Sequence, residues 1–112
     1  KDIDLEKVRK FAKLAQINNF IEKNSNQYNE KVGERGVKLS GGQRQRIGIA
    51  RALYREAKVI VFDEATNQLD EETENLIMQS IKNFDSEITV VFITHRLSTL
   101  KYCDQIIDLD KF

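Results

Sequence analysis

Apolar positions along the chain change their spacing several times, and each change marks an element. Between residues 2 and 22, Leu5, Val8, Ala12 and Ala15 recur every three or four positions, with Phe11 and Leu14 beside them. That spacing predicts an amphipathic helix, interrupted at Asn18-Asn19 and continued for a turn or two through Phe20-Ile21. Residues 23–38 are polar, contain Asn24-Ser25-Asn26 and two glycines, and predict a loop. A second helix opens at Ser40-Gly41-Gly42-Gln43 and runs to about residue 55. The spacing then gives way to a continuous apolar run over residues 58–62, ending on Asp63-Glu64. Such a run predicts a strand covered on both faces, as in a parallel sheet. Helical spacing returns over residues 71–84 through Leu76, Ile77, Ile81 and Phe84. Residues 88–93 form a second continuous run rich in β-branched side chains, which predicts another strand. A short helix over 97–102 and a last strand over 105–109 complete the pattern. The order predicts an α/β chain: a helical part over residues 1–55, then parallel βαβαβ core strands with right-handed crossovers over residues 56–112.

Composition narrows the class. With 112 residues, 40% of them hydrophobic and the apolar ones in blocks, the chain is one compact folding domain at most and is not intrinsically disordered. No apolar run approaches the ~20 residues of a membrane span. Eighteen Lys and Arg balance eighteen Asp and Glu, which excludes a nucleic-acid binder working by bulk electrostatics. One cysteine, Cys103, forms no internal disulfide and points to a reducing setting. The chain opens on Lys1 and its one methionine is Met78, so it reads as a piece of a longer polypeptide. The charge is split: residues 1–56 carry 13 basic against 7 acidic side chains, and residues 57–112 carry 5 against 11. A phosphate-facing half beside a metal-facing half would have that split, and so would two solvated faces.

Two clusters carry candidate chemistry. Ser40 followed three residues later by Gln43, ahead of a helix, is a capping-box pattern. The same residues also make an anion site, because a helix amino terminus with two glycines and a hydroxyl presents N–H groups to a phosphate. At the carboxyl end of the first strand stand Asp63 and Glu64, where open α/β sheets bind ligands. An acidic pair there suits phosphoryl transfer, the aspartate steadying Mg²⁺ and the glutamate polarising water; a solvated strand-end pair is the plainer alternative. Asp70 follows in the next loop and is equally placed to cap the helix after it. His95, the one histidine, directly follows the second strand in Thr94-His95-Arg96 and lies near Asp63-Glu64 if the two strands are neighbours.

Together these residues resemble the nucleotide-binding domains of the ATP-binding-cassette (ABC) family. Leu39-Ser40-Gly41-Gly42-Gln43 resembles the family's signature motif, and Val59 through Glu64 its Walker B strand with the catalytic glutamate. Asn67-Gln68-Leu69-Asp70 resembles its D-loop, and His95 its switch histidine. Gly33-Glu34-Arg35-Gly36 ahead of the signature resembles the exporter-type subgroup. The D-loop departs from the family's usual Ser-Ala opening, with Asn67-Gln68 in its place, which puts the coupling between the two sites in doubt. No Gly-x-x-x-x-Gly-Lys-Ser/Thr phosphate loop occurs in the sequence.

The resemblance implies a partial P-loop NTPase fold, the carboxy-terminal half of an ABC ATPase without its Walker A half. It implies an ATP-hydrolysing domain of an exporter-type transporter that uses ATP and Mg²⁺. A second nucleotide-binding domain would be its head-to-tail partner, and a transmembrane domain would be fused upstream, at the cytoplasmic face of the plasma or inner membrane. Nucleic acid is not an expected partner. Ser40 and Gly42, flanked by Leu39, Gly41 and Gln43, would meet the γ-phosphate held by the partner domain. Asp63 would act on Mg²⁺ through water, Glu64 as general base and His95 on the γ-phosphate, with Gln43 and Asp70 joining the two sites. A soluble ABC ATPase of the DNA-repair or translation type, and a catalytically inactive binding module, are the alternatives. The 112 residues alone are expected to be inactive for want of the phosphate loop.

Overall fold

The computed structural model describes residues 3–23, 27–29, 38–63, 69–85 and 87–111. Its first helix, α1, spans Leu5–Leu14, with Asp4 as amino-terminal cap accepting the Lys7 N–H. The helix stops at Leu14, four positions ahead of the Asn18-Asn19 interruption that the sequence suggests. Gln16 takes a left-handed backbone, φ 61°, and its N–H and that of Ile17 donate back to the Lys13 and Ala12 carbonyls. This pair of bonds closes a helix carboxyl end. Asn18 therefore does not break a helix but begins the next one, α2, Asn18–Glu22.

The longer helix α3, Gly41–Tyr54, ends in the same way, with Glu56 left-handed at φ 59° and Glu56 and Ala57 donating to Leu53 and Ala52. Helices α1 and α3 pack together, and Arg46 ties them: its guanidinium donates to the Gln16 carbonyl at 2.7 Å. Strand β1, Val59–Phe62, helix α4, Glu71–Phe84, and strand β2, Thr89–Phe92, form a βαβ unit. The strands are parallel, with Val59 opposite Thr89 and Phe62 opposite Phe92, and the Phe62 and Phe92 rings stack at 5.1 Å. A 3₁₀ helix over Leu97–Tyr102 follows.

One core crosses from helices to sheet: Phe11, Ala12 and Ile17 meet Ile49 and Leu53 of α3, Ile60 and Phe62 of β1, and Ile77 and Ile81 of α4. It covers one face of the sheet only. Ile60 and Phe62 are buried, while Val59 and Val61 are each 56% exposed, and Val91 and Ile93 lie open on the same side. Among the described residues the two-sided cover that the apolar runs suggest is therefore half realised, because the buried strand side chains all join the core on one side.

The expected third strand over residues 105–109 does not form; the sheet has two strands, and βαβαβ reduces to βαβ. A strand exists through its ladder, and among the described residues none pairs with this segment. Ile106, Ile107 and Leu109 are exposed, and a 3₁₀ turn over Leu109–Lys111 takes its end.

Candidate functional site

The amino terminus of α3 is a complete capping box. Ser40 Oγ accepts the Gln43 N–H at 3.1 Å, and Gln43 Oε1 accepts the Ser40 N–H at 2.9 Å. A helix leaves the N–H groups of its first four positions without intrahelical partners, and the box satisfies the first and fourth. Those of Gly41 and Gly42 remain without a partner among the described residues, at the positive end of a 14-residue helix. The cap and the expected anion site therefore do not compete: the box uses Ser40 and Gln43 and takes up neither glycine amide. Leu39 precedes the turn half-buried, and the Gly42 carbonyl is taken by the Arg46 side chain.

Asp63 and His95 stand at the same end of the sheet because β1 and β2 are hydrogen-bonded neighbours to their carboxyl ends. The Ile93 N–H donates to the Phe62 carbonyl at 2.9 Å, so both chains leave the sheet at one carboxyl edge. Asp63 leaves β1 at that edge and His95 follows β2 by three residues; both are exposed. The turn that carries His95 is closed by the Arg96 N–H donating to Thr94 Oγ1 at 2.9 Å. Glu64, Asn67 and Gln68, which follow Asp63 in sequence, and the Gly33-Glu34-Arg35-Gly36 stretch lie outside the described residues.

Asp70 caps α4, its Oδ1 accepting the Thr73 N–H at 2.6 Å. Hydrogen bonds from the Thr73 side chain and backbone hold its carboxyl below the usual carboxylate range, and the nearby Arg46 guanidinium adds to the effect. Arg46 therefore touches the α1–α2 junction and the turn that opens α3, while its charge acts on Asp70 at the cap of α4.

Sequence reading passed over Glu74. The run Glu71-Glu72-Thr73-Glu74 resembles a solvated helix start, but Glu74 is 2% exposed. The available signal was its phase: Glu74, Ile77 and Ile81 fall on one helical stripe, and the latter two are core residues.

The comparisons with known proteins agree with this geometry. The family model for the ABC transporter matches residues 2–67. The leukotoxin export ATP-binding protein LtxB of Aggregatibacter actinomycetemcomitans is 51% identical over 107 residues, which is 96% of this chain and 15% of LtxB. The leukotoxin translocation ATP-binding protein LktB of Mannheimia glucosida is 50% identical over 109 residues, 97% of this chain and again 15% of the relative. The solved structure of a bacterial Atm1-family ABC exporter with ATP bound superposes with a TM-score of 0.76 at 41% identity, over 89% of this chain and 18% of the exporter chain. The chain thus spans 15% of the length of the curated relatives it matches. Its helices and parallel strands are a partial P-loop NTPase fold.

Proposed function

The chain belongs to the ABC transporter family, and from that membership we propose that it is the carboxy-terminal part of an exporter's ATP-binding and ATP-hydrolysing domain. The relatives' names carry export and translocation, which supports the exporter type over a soluble ABC ATPase. The observation that supports hydrolysis is the shared carboxyl edge of β1 and β2, where Asp63 ends one strand and His95 follows the other.

In this reading Glu64 takes a proton from the attacking water and His95 contacts the γ-phosphate, where developing negative charge is stabilised. Asp63 orients water around Mg²⁺. An exposed carboxylate at a strand end fits that role, since Mg²⁺ keeps several waters and takes one or two carboxylates together with phosphate oxygens. When bound, Mg²⁺ neutralises charge on the phosphates. The Gly41 and Gly42 amides and Ser40 close on the γ-phosphate held by a second nucleotide-binding domain in a head-to-tail dimer, with Gln43 and Asp70 joining the two sites. Among the described residues no helix is long and apolar enough to cross a membrane. Transport in this reading belongs to a transmembrane domain fused upstream, with the ATPase at the cytoplasmic face of the plasma or inner membrane. Residues 1–55 then form the helical signature subdomain and residues 56–112 the end of the catalytic core.

Glu64→Gln in the full-length protein tests this. The amide keeps the shape and loses the base, so ATP turnover should fall by ~10²–10⁴-fold while ATP binding persists. Turnover near the wild-type rate would remove Glu64 from the role of base. The 112-residue chain by itself should turn over no Mg-ATP, because its sequence contains no phosphate loop; hydrolysis by the purified chain would overturn that part of the reading.

A further inference from the structure

The acidic run that opens α4 divides by burial. Glu71 and Glu72 are exposed, whereas Glu74 is inside the molecule on the stripe of Ile77 and Ile81, where the helical register calls for an apolar side chain. A buried carboxylate persists only with partners, and those of Glu74 come from the segment after β2. Thr99, fully buried, donates its hydroxyl to Glu74 Oε1 at 3.4 Å. The Arg96 guanidinium stands 3.7 Å from Glu74 Oε2. One position further along α4, Asn75 Oδ1 accepts the Tyr102 hydroxyl.

Arg96 is the residue next to His95, and its backbone N–H already closes the His95 turn on Thr94. His95 therefore sits on a short turn with a bond inside it and a charged anchor immediately outside it. The anchor belongs to the first turn of α4, the same turn that Asp70 caps, and the Glu74 N–H donates to the Asp70 carbonyl at 3.0 Å. Burial alone does not require a charge here. Replacing a buried ion pair with apolar side chains of similar volume is often neutral or stabilising, and Tyr102 with Asn75 already fastens the 3₁₀ helix to α4. What the carboxylate adds is a fixed position for Arg96. At 3.7 Å the pair is beyond hydrogen-bond reach and Glu74 Oε2 makes no hydrogen bond, so the carboxylate can still draw the guanidinium closer.

We propose that Glu74 is a positioning residue for ATP hydrolysis, holding His95 on the γ-phosphate through Arg96. The proposal rests on the role of His95 given above. It makes the start of α4 a shared support, with Asp70 at its cap and His95 tied to its first turn.

The test is a double-mutant cycle in the full-length protein, measuring kcat, KM for ATP and thermal unfolding for wild type, Glu74→Gln, Glu74→Met, His95→Ala and the Glu74→Gln/His95→Ala pair. Glu74→Gln should lower kcat by roughly 10–100-fold, the scale of a misplaced catalytic group, with KM unchanged. Glu74→Met should lose as much turnover while unfolding at or above the wild-type temperature, an outcome that a merely structural residue would not give. The pair should be no slower than His95→Ala alone, because Glu74 acts only through His95. A wild-type kcat in Glu74→Gln overturns the proposal, as does a full additional loss in the pair, a loss that follows the folded fraction, or an unaffected His95→Ala. If the wild-type protein itself fails to hydrolyse ATP, the function proposed above falls with it; if it hydrolyses and the cycle fails, only the role of Glu74 falls.

Discussion

The helical part and the sheet part of this chain answer the same problem, burying apolar side chains, with different completeness. In the helical part both long helices are sealed locally at each end. Asp4 and Ser40 cap α1 and α3, and the left-handed Gln16 and Glu56 close their carboxyl ends with paired backbone bonds. Its partners, Phe11 and Ala12 against Ile49 and Leu53, come from helices that touch each other directly. In the sheet part the backbone bonds are non-local, two strands stand alone among the described residues, and one face of valines and isoleucine is bare. Helices complete their hydrogen bonds within themselves, whereas strands need neighbours. The same apolar density therefore yields a closed unit in one region and an open one in the other.

The largest consequence is for the isolated 112-residue chain. Val59, Val61, Val91 and Ile93 form an exposed β-branched face beside open strand edges, an arrangement that recruits other chains. The chain alone should self-associate or be marginally folded, with helical content outlasting sheet. Sedimentation at micromolar concentration together with circular dichroism checks it, and a monomer with one sharp two-state transition would erase the contrast. Val61→Thr with Val91→Thr should shift the chain towards monomer without loss of helix, since both positions lie on the bare face.

Next in size is Ile77→Ala. Ile77 is 1% exposed and lies in the core shared by α1, α3 and β1, so truncation should cost about 2–5 kcal/mol. Denaturant unfolding followed by near- and far-ultraviolet circular dichroism would read it. If the two regions depend on that one core, both signals fall together. If helix survives at full amplitude, the regions are separable and the contrast is sharper than the packing implies.

What the sequence discloses follows the same division. Helices α3 and α4 are legible almost to the residue, because Ser40 and Asp70 mark their starts and the apolar stripe marks their length. The strands are legible as apolar runs, but a run does not say whether a ladder exists, so residues 105–109 suggest a strand that lacks a partner. The end of α1 is displaced because a glutamine in left-handed conformation carries no composition signal, while Asn18-Asn19 carries a strong one that the structure does not use. Among the proposed site residues, Ser40, Gly42, Asp63, Asp70 and His95 stand out through motif order. Glu74 is hidden in an acidic run, since exposure is decided by phase against Ile77 and not by residue type.

Smaller effects probe the caps. Ser40→Ala removes the side-chain half of the capping box and should cost about 1 kcal/mol of stability, read as a lowered denaturation midpoint in the full-length domain. Asp70 responds to pH. Its carboxyl is held below its ordinary value of 3.8 in the folded chain, so its contribution is present above that value and is lost as pH falls through the lower folded value. Acid unfolding compared between wild type and Asp70→Asn should show the difference shrinking below that point. A constant difference down to the most acid conditions would mean that the Thr73 bonds do not favour the charged form.

The smallest expected change is a gain. Glu56 holds φ 59° at the end of α3, a conformation that strains an L side chain and that glycine adopts freely. Its side chain offers little in return: it is exposed, and the Lys7 ammonium is 3.9 Å away with the pair open to solvent, where such pairs contribute ~0–1 kcal/mol. The backbone bonds that close the helix use the Glu56 and Ala57 N–H groups, and glycine keeps both. Glu56→Gly should therefore stabilise the chain by about 0.5–1 kcal/mol, the left-handed relief of ~1–2 kcal/mol less the entropy that glycine adds to the unfolded chain. Denaturation midpoints of the two proteins under identical salt would measure it, and Glu56→Ala serves as the control, since alanine loses the ion pair but keeps the strain. If glycine and alanine shift the midpoint equally, the carboxyl end of α3 is not strained, and the helical part owes its closure to packing alone.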